Sequence, residues 1–228
     1  TWYRCIAIDI PGYGRSPKAE DGLTLADMAQ GCWEAVDDGL GGDPAVLVGC
    51  SVGSSLIQQM FHLRPKQTAA LVLSGTGFNP ADESPPAFVK ARIRDYGAEG
   101  VGFRWRYTFQ DLSPAFAATP MAHYFAQIFT ERNEMADAQS IIRQFHALGA
   151  PRPGDFFTGI TCPTIVLSGT EDAAHARAFD LKGQIPDCEL QVLPGAGHAC
   201  HMEQPWLFDR FMIEFLKRRG LFPAARKS

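Results

Sequence analysis

No stretch of the 228-residue chain reaches the roughly 18 consecutive apolar residues at which a membrane-spanning helix becomes the natural reading. Positive charge is not in excess: 21 Lys and Arg stand against 25 Asp and Glu, a net −4. Nucleic-acid binding, which draws on concentrated positive charge against phosphates, is therefore set aside. The N-terminus, Thr1-Trp2-Tyr3-Arg4-Cys5, shows neither a starting Met nor a basic segment followed by an apolar signal core. A strand-like run beginning so early reads as a chain entered mid-fold. The six cysteines have no C-x-x-C spacing, which argues against a zinc site or a disulfide scaffold and for the reduced thiols of a cytoplasmic protein. What the chain does have is a 46% apolar content, enough for a sizeable core, and a length of one to two domains at about 150 residues each.

Short apolar runs alternate with helical periodicities. Cys5-Ile6-Ala7-Ile8, Ala45-Val46-Leu47-Val48, Ala70-Leu71-Val72-Leu73, Pro163 to Leu167 and Glu189 to Leu193 read as five strands, the uninterrupted apolar runs among them suiting a parallel sheet buried on both faces. Leu25, Met28, Ala29, Cys32 and Val36 fall on one face of a helix, with Thr24 and Asp27 as its N-terminal cap. A second helix is expected from about Ser54 to Leu63. A closing one, from about Pro205 to Arg218, should bury Phe208, Phe211, Met212 and Phe215. Strands alternating with helices predict an α/β fold with a mostly parallel sheet. The rhythm breaks at residues 79–158, rich in Phe, Tyr and Pro, where Ala122, Phe125, Ala126 and Phe129, then Ile141, Ile142, Phe145 and Leu148, give only helical patterns. That segment is expected to be a helical cap on a core made of 1–78 and 159–228.

Three strand ends carry reactive residue types. Gly49-Cys50-Ser51-Val52-Gly53 joins a strand directly to a helix, and glycines at both flanks of the serine would relieve the clashes of so tight a turn. A serine hydroxyl is a weak nucleophile until a base takes its proton. His198, just after the fifth strand, is suited to that role near neutral pH. The imidazole needs an acceptor to fix its tautomer, and Asp172 or its neighbour Glu171, just after the fourth strand, offers one. The order is serine, then acid 121 residues on, then histidine after a further 26.

With these pieces the chain resembles the α/β-hydrolase family. The resemblance rests on Asp9-Ile10-Pro11-Gly12-Tyr13-Gly14-Arg15-Ser16, the Gly49–Gly53 turn, Gly169 to Asp172, Gly195-Ala196-Gly197-His198, Glu203-Gln204-Pro205 and the Phe-rich closing helix. It implies an α/β-hydrolase fold, a Ser51 nucleophile, a His198 base, an Asp172 orienting acid and the Val52 N–H as one oxyanion donor. Family members carry an earlier strand and a loop, often with His-Gly, that supplies the second donor. The chain as given starts after them, so it is read as lacking roughly 40–60 residues of a domain near 270. One lost donor typically costs about 10²–10³ in rate.

The aromatic cap points to a small, largely apolar ester, lactone or other acyl compound, with Phe78, Trp105, Tyr124 and Phe125 as pocket wall. The same triad also serves carbon–carbon bond hydrolysis, acyl transfer or perhydrolysis, and the scaffold also hosts non-catalytic ligand binding. Gly12-Tyr13-Gly14 lacks the third glycine of a dinucleotide fingerprint and reads as a turn. His198 with His201, and His175 near Asp172, form no metal quartet, so neither metal nor cofactor is expected. Cys50 is expected to point into the core. Phe103, Trp105, Tyr107 and Phe109 alternate with Arg104 and Arg106 as cap packing and pocket wall, while Arg92 and Arg94 read as a solvated helix face.

Overall fold

The apolar runs at Ala45–Cys50 (β1), Thr68–Ser74 (β2), Thr164–Gly169 (β3) and Cys188–Leu193 (β4) form one parallel sheet in the order β1-β2-β3-β4. The computed structural model describes residues 3–76 and 86–223. Side chains alternate across β2: Leu71 and Leu73 enter one apolar cluster, Ala70 and Val72 the other. Helices α1 (Leu25–Leu40), α2 (Val52–Leu63) and α8 (His175–Gln184) cover the first face. α9 (Pro205–Arg218), with Phe208 and Phe215 buried, covers the second. Both faces are thus covered, as continuous apolar strands demand. Thr24 caps α1 in a reciprocal box with Asp27, as its sequence predicts.

The first expected strand does not form. Residues 5–8 pair with no strand; Cys5, Ile6 and Ala7 are exposed, and only Ile8 and Ile10 pack against the core. A strand gains its stability from a hydrogen-bonded neighbour, and the neighbouring edge of β1 is itself unpaired among the described residues, with Val48 53% exposed.

Between β2 and β3 run α3 (Ala87–Glu99), α4 (Phe103–Gln110), α5 (Pro114–Ala117), α6 (Pro120–Glu131) and α7 (Ala138–Leu148). They have an apolar cluster of their own, built on Val89, Tyr96, Phe103, Ile141, Phe145 and Leu148. Phe156, Phe157 and Ile160, further along, pack instead into the sheet-side core. The loop after residue 8 ties the two parts together: Asp137 N–H donates to the Gly12 carbonyl at 2.9 Å, and Gln144 donates to the Pro11 carbonyl. No helix among the described residues is long and apolar enough to cross a membrane.

Candidate active site

Ser51 sits between the last residue of β1 and the first of α2. Its backbone has φ 56° and ψ −118°, the one positive φ on a non-glycine residue among those described. A serine with a Cβ pays strain there, a cost found at reactive positions on sharp strand-to-helix turns. α2 begins two residues earlier than periodicity predicts, directly on Ser51. Of the flanking glycines, Gly49 is the one the turn needs: a Cβ there would lie 2.3 Å from the Gly53 carbonyl oxygen, whereas a Cβ on Gly53 would meet nothing within 4 Å. The clash relief expected of both glycines belongs to Gly49 alone. Val52 contributes the first N–H of α2, one of the groups a helix leaves without an internal acceptor. Cys50, beneath the turn, is buried in its thiol, which burial pushes up to about 12, so it stays protonated at neutral pH.

The Ser51 N–H donates to the Ser74 carbonyl at the end of β2 (2.9 Å), and Gly75 follows. The His198 ring lies over Gly75: a Cβ at this residue, whose φ is +59°, would approach His198 Cε1 to 2.7 Å. The imidazole is thereby seated on the residue next to Ser51's own backbone partner. The Ser51 hydroxyl makes no hydrogen bond within the described residues, a looseness common before substrate binds.

On its other edge, His198 Nδ1 lies 3.0 Å from Asp172 Oδ1. Of the two carboxylates left open by the sequence, Asp172, with a 2% exposed side chain, is the one beside the imidazole, while Glu171 faces solvent. Burial pushes the Asp172 carboxyl up, but the hydrogen bond and charge of His198 more than offset it, leaving it below its usual value. His198 mirrors this: burial pulls it down, Asp172 and then Asp111 push it up, and the net shift is upward. The loop is braced from several sides. Gly197 N–H donates to Glu203 at 3.0 Å, Gly195 N–H to Thr170 Oγ1 at 2.8 Å, and Glu171 N–H to the Ala196 carbonyl at 2.9 Å. His175 pairs with Ser168 Oγ (3.0 Å).

The helical segment supplies a second set of groups, of which the sequence reading singles out Tyr107 and Arg92 but not Asp111. The Asp111 carbonyl accepts from His198 N–H (2.9 Å), and its carboxyl, raised chiefly by burial, stands beside Arg92 (3.5 Å) and the Tyr107 phenol. Arg92 is therefore no solvated residue: its side chain is 17% exposed and its guanidinium stacks 3.7 Å over the Tyr107 ring. Arg94, 72% exposed, does fit that description. Arg92 and Asp111 are 19 residues apart on different elements, so no local pattern announces them. The alternating aromatics split because α4 is a helix. Phe103 and Tyr107, four apart, stack inward, while Trp105 turns to the opposite side with Phe109.

A cavity of about 230 Å³ opens beside His198, walled by Tyr13, Tyr96, Arg104, Tyr107 and Phe129. Of the pocket residues expected from sequence, Trp105 and Tyr124 are exposed, and neither they nor Phe125 reach this cavity. Phe78 lies outside the described residues.

Residues 1–207 match a family described as the alpha/beta hydrolase family. RutD of Variovorax paradoxus (strain S110), whose name assigns it provisionally to carbamate hydrolysis, is 28% identical over 95% of this chain and 82% of its own length. The 2-hydroxy-6-oxononadienedioate/2-hydroxy-6-oxononatrienedioate hydrolase of Burkholderia vietnamiensis (strain G4) is 25% identical over 95% of this chain and 77% of its own. Among solved structures, an esterase (EaEST) from Exiguobacterium antarcticum superposes with a TM-score of 0.78 at 20% identity, covering 92% of this chain and 80% of that one.

Proposed function

The chain belongs to the alpha/beta hydrolase family and is a hydrolase, and from that premise we propose that Ser51, His198 and Asp172 form its catalytic triad, acting on a small acyl compound. The observation that carries the reading is the 3.0 Å His198–Asp172 contact, set over Gly75 beside the one strained serine. In this reading Ser51 Oγ attacks the substrate carbonyl as His198 Nε2 takes its proton. Asp172 holds the Nδ1 proton and stabilises the imidazolium. The Val52 N–H donates to the developing oxyanion. His198 then protonates the leaving group, and a water it activates releases the acyl group from Ser51.

The substrate class is a small, mostly apolar ester, lactone or related acyl compound, in keeping with a cavity below the usual range for drug-sized ligands and walled largely by aromatic rings. A second reading, hydrolysis of a carbon–carbon bond next to a carbonyl by the same residues, draws on the dioate hydrolase relative. p-Nitrophenyl esters and vinylogous diketones assayed side by side separate the two. The triad itself is tested by Ser51→Ala, expected to lower kcat/KM by about 10⁴-fold or more and to abolish labelling by a fluorophosphonate. Retained turnover or labelling would discard it.

A further inference from the structure

Helices α3 and α4 carry four arginines, and three of them have a carboxylate. Arg92 stands 3.5 Å from Asp111, Arg94 lies 2.8 Å from Asp95 and Arg106 lies 2.5 Å from Glu99. Arg104 has none among the described residues. Its one hydrogen bond is to the neutral Asn133 Oδ1 at 3.3 Å, and it leans on the Tyr13 and Phe129 rings at 5.5 and 5.8 Å. A guanidinium carries five donors in a planar fork suited to a carboxylate, so most of this one's capacity is unspent. Arg104 is half-buried and shares the cavity wall with His198. A cation partly shielded by aromatic rings attracts an anion more strongly than one in open water.

We propose that Arg104 is the specificity-determining residue of this site: it receives an anionic group, a carboxylate in the first instance, at the far end of an acyl substrate whose carbonyl lies at Ser51. The inference rests on the Ser51–His198–Asp172 reading and narrows its substrate class from small acyl compounds in general to those with an acidic terminus. Asp111 does not compete for this place, because its carboxyl is already beside Arg92 and Tyr107. The Tyr13 and Phe129 rings flank the guanidinium, and its donors other than the one spent on Asn133 have no partner among the described residues, which leaves capacity for a bidentate partner.

The test compares two six-carbon esters, mono-p-nitrophenyl adipate and p-nitrophenyl hexanoate. The protein should prefer the anionic ester by about 10- to 100-fold in kcat/KM, the range of a hydrogen bond to a charged group. Arg104→Gln should collapse the ratio toward unity, and Arg104→Lys should retain part of it. The ratio is internal to each variant, so partial misfolding does not imitate the result. A wild-type ratio near one, or a ratio that Arg104→Gln leaves intact, overturns the proposal. Failure of the triad reading looks different: both esters would be cleaved by the Ser51→Ala variant, or neither by the unmodified protein. In that event calorimetric titration with monomethyl adipate and dimethyl adipate decides. Tighter binding of the monoanion, lost in Arg104→Gln, upholds the subsite, and equal affinities reject it.

Discussion

The two sides of His198 are built on different principles. On the sheet side, Ser51, Asp172 and His198 each follow a strand end, and a parallel sheet delivers those ends to one rim regardless of how far apart they lie in the chain. On the helical side, Asp111, Arg92, Tyr107 and Arg104 come from α3, α4 and the turn after them, and they meet only through the packing of Tyr96, Phe103 and Phe145. In the proposed reading, sheet topology places the triad, while helix packing places the groups that select its substrate. Changes on the first side should act on turnover, and changes on the second on substrate choice and on local stability.

The sharpest way to break that division is Asp172→Asn, which should lower kcat/KM by about 10²–10⁴-fold by unfixing the His198 tautomer. The pH profile adds a direction. In the proposed mechanism His198 accepts a proton only when neutral, and its pKa is raised above the ordinary 6.5, so activity should fall as pH drops through a point above 6.5. Removing the Asp172 hydrogen bond and charge should move that acid limb to lower pH. An unmoved limb would mean that Asp172 does not govern His198.

Phe103→Ala probes the other side. Phe103 is 1% exposed, 5.3 Å from the Tyr96 ring and stacked 5.8 Å from Tyr107. Its truncation should cost about 3–5 kcal/mol, seen by hydrogen exchange as earlier opening of α3, α4 and α7 while β2 and β3 stay protected. Uniform loss of protection across sheet and helices would show that the two sides unfold as one. The mildest change is Asp111→Asn. It removes a negative charge that raises His198, so the acid limb should move down in pH, by less than in Asp172→Asn. A larger shift than that of Asp172→Asn would reverse the roles of the two acids.

Much of the sheet side is legible in the sequence because its signals are local. Uninterrupted apolar runs mark β1 to β3, alternating apolar residues mark β4, and Gly49-Cys50-Ser51 marks the turn that strains Ser51. The failures are equally physical. Cys5 to Ile8 has the composition of a strand, yet a strand also needs a partner, which composition does not record. Trp105 and Tyr124 have the aromatic type of a pocket wall and sit in the helical segment, but residue type does not say which way a helix face turns, and both are exposed. Arg92 read as solvated for the same reason.

The order of apolar runs and of Ser51, Asp172 and His198 was enough to determine the class of fold and the three residues proposed for the chemistry, because strand and turn preferences act over a few residues. Three things needed the folded chain: that Asp172 rather than Glu171 faces the imidazole, that Asp111 stands behind it, and that, among the described residues, Arg104 alone of the four arginines on α3 and α4 lacks a carboxylate. Each depends on side chains brought together from distant positions, and burial and distance exist only after the layers have packed.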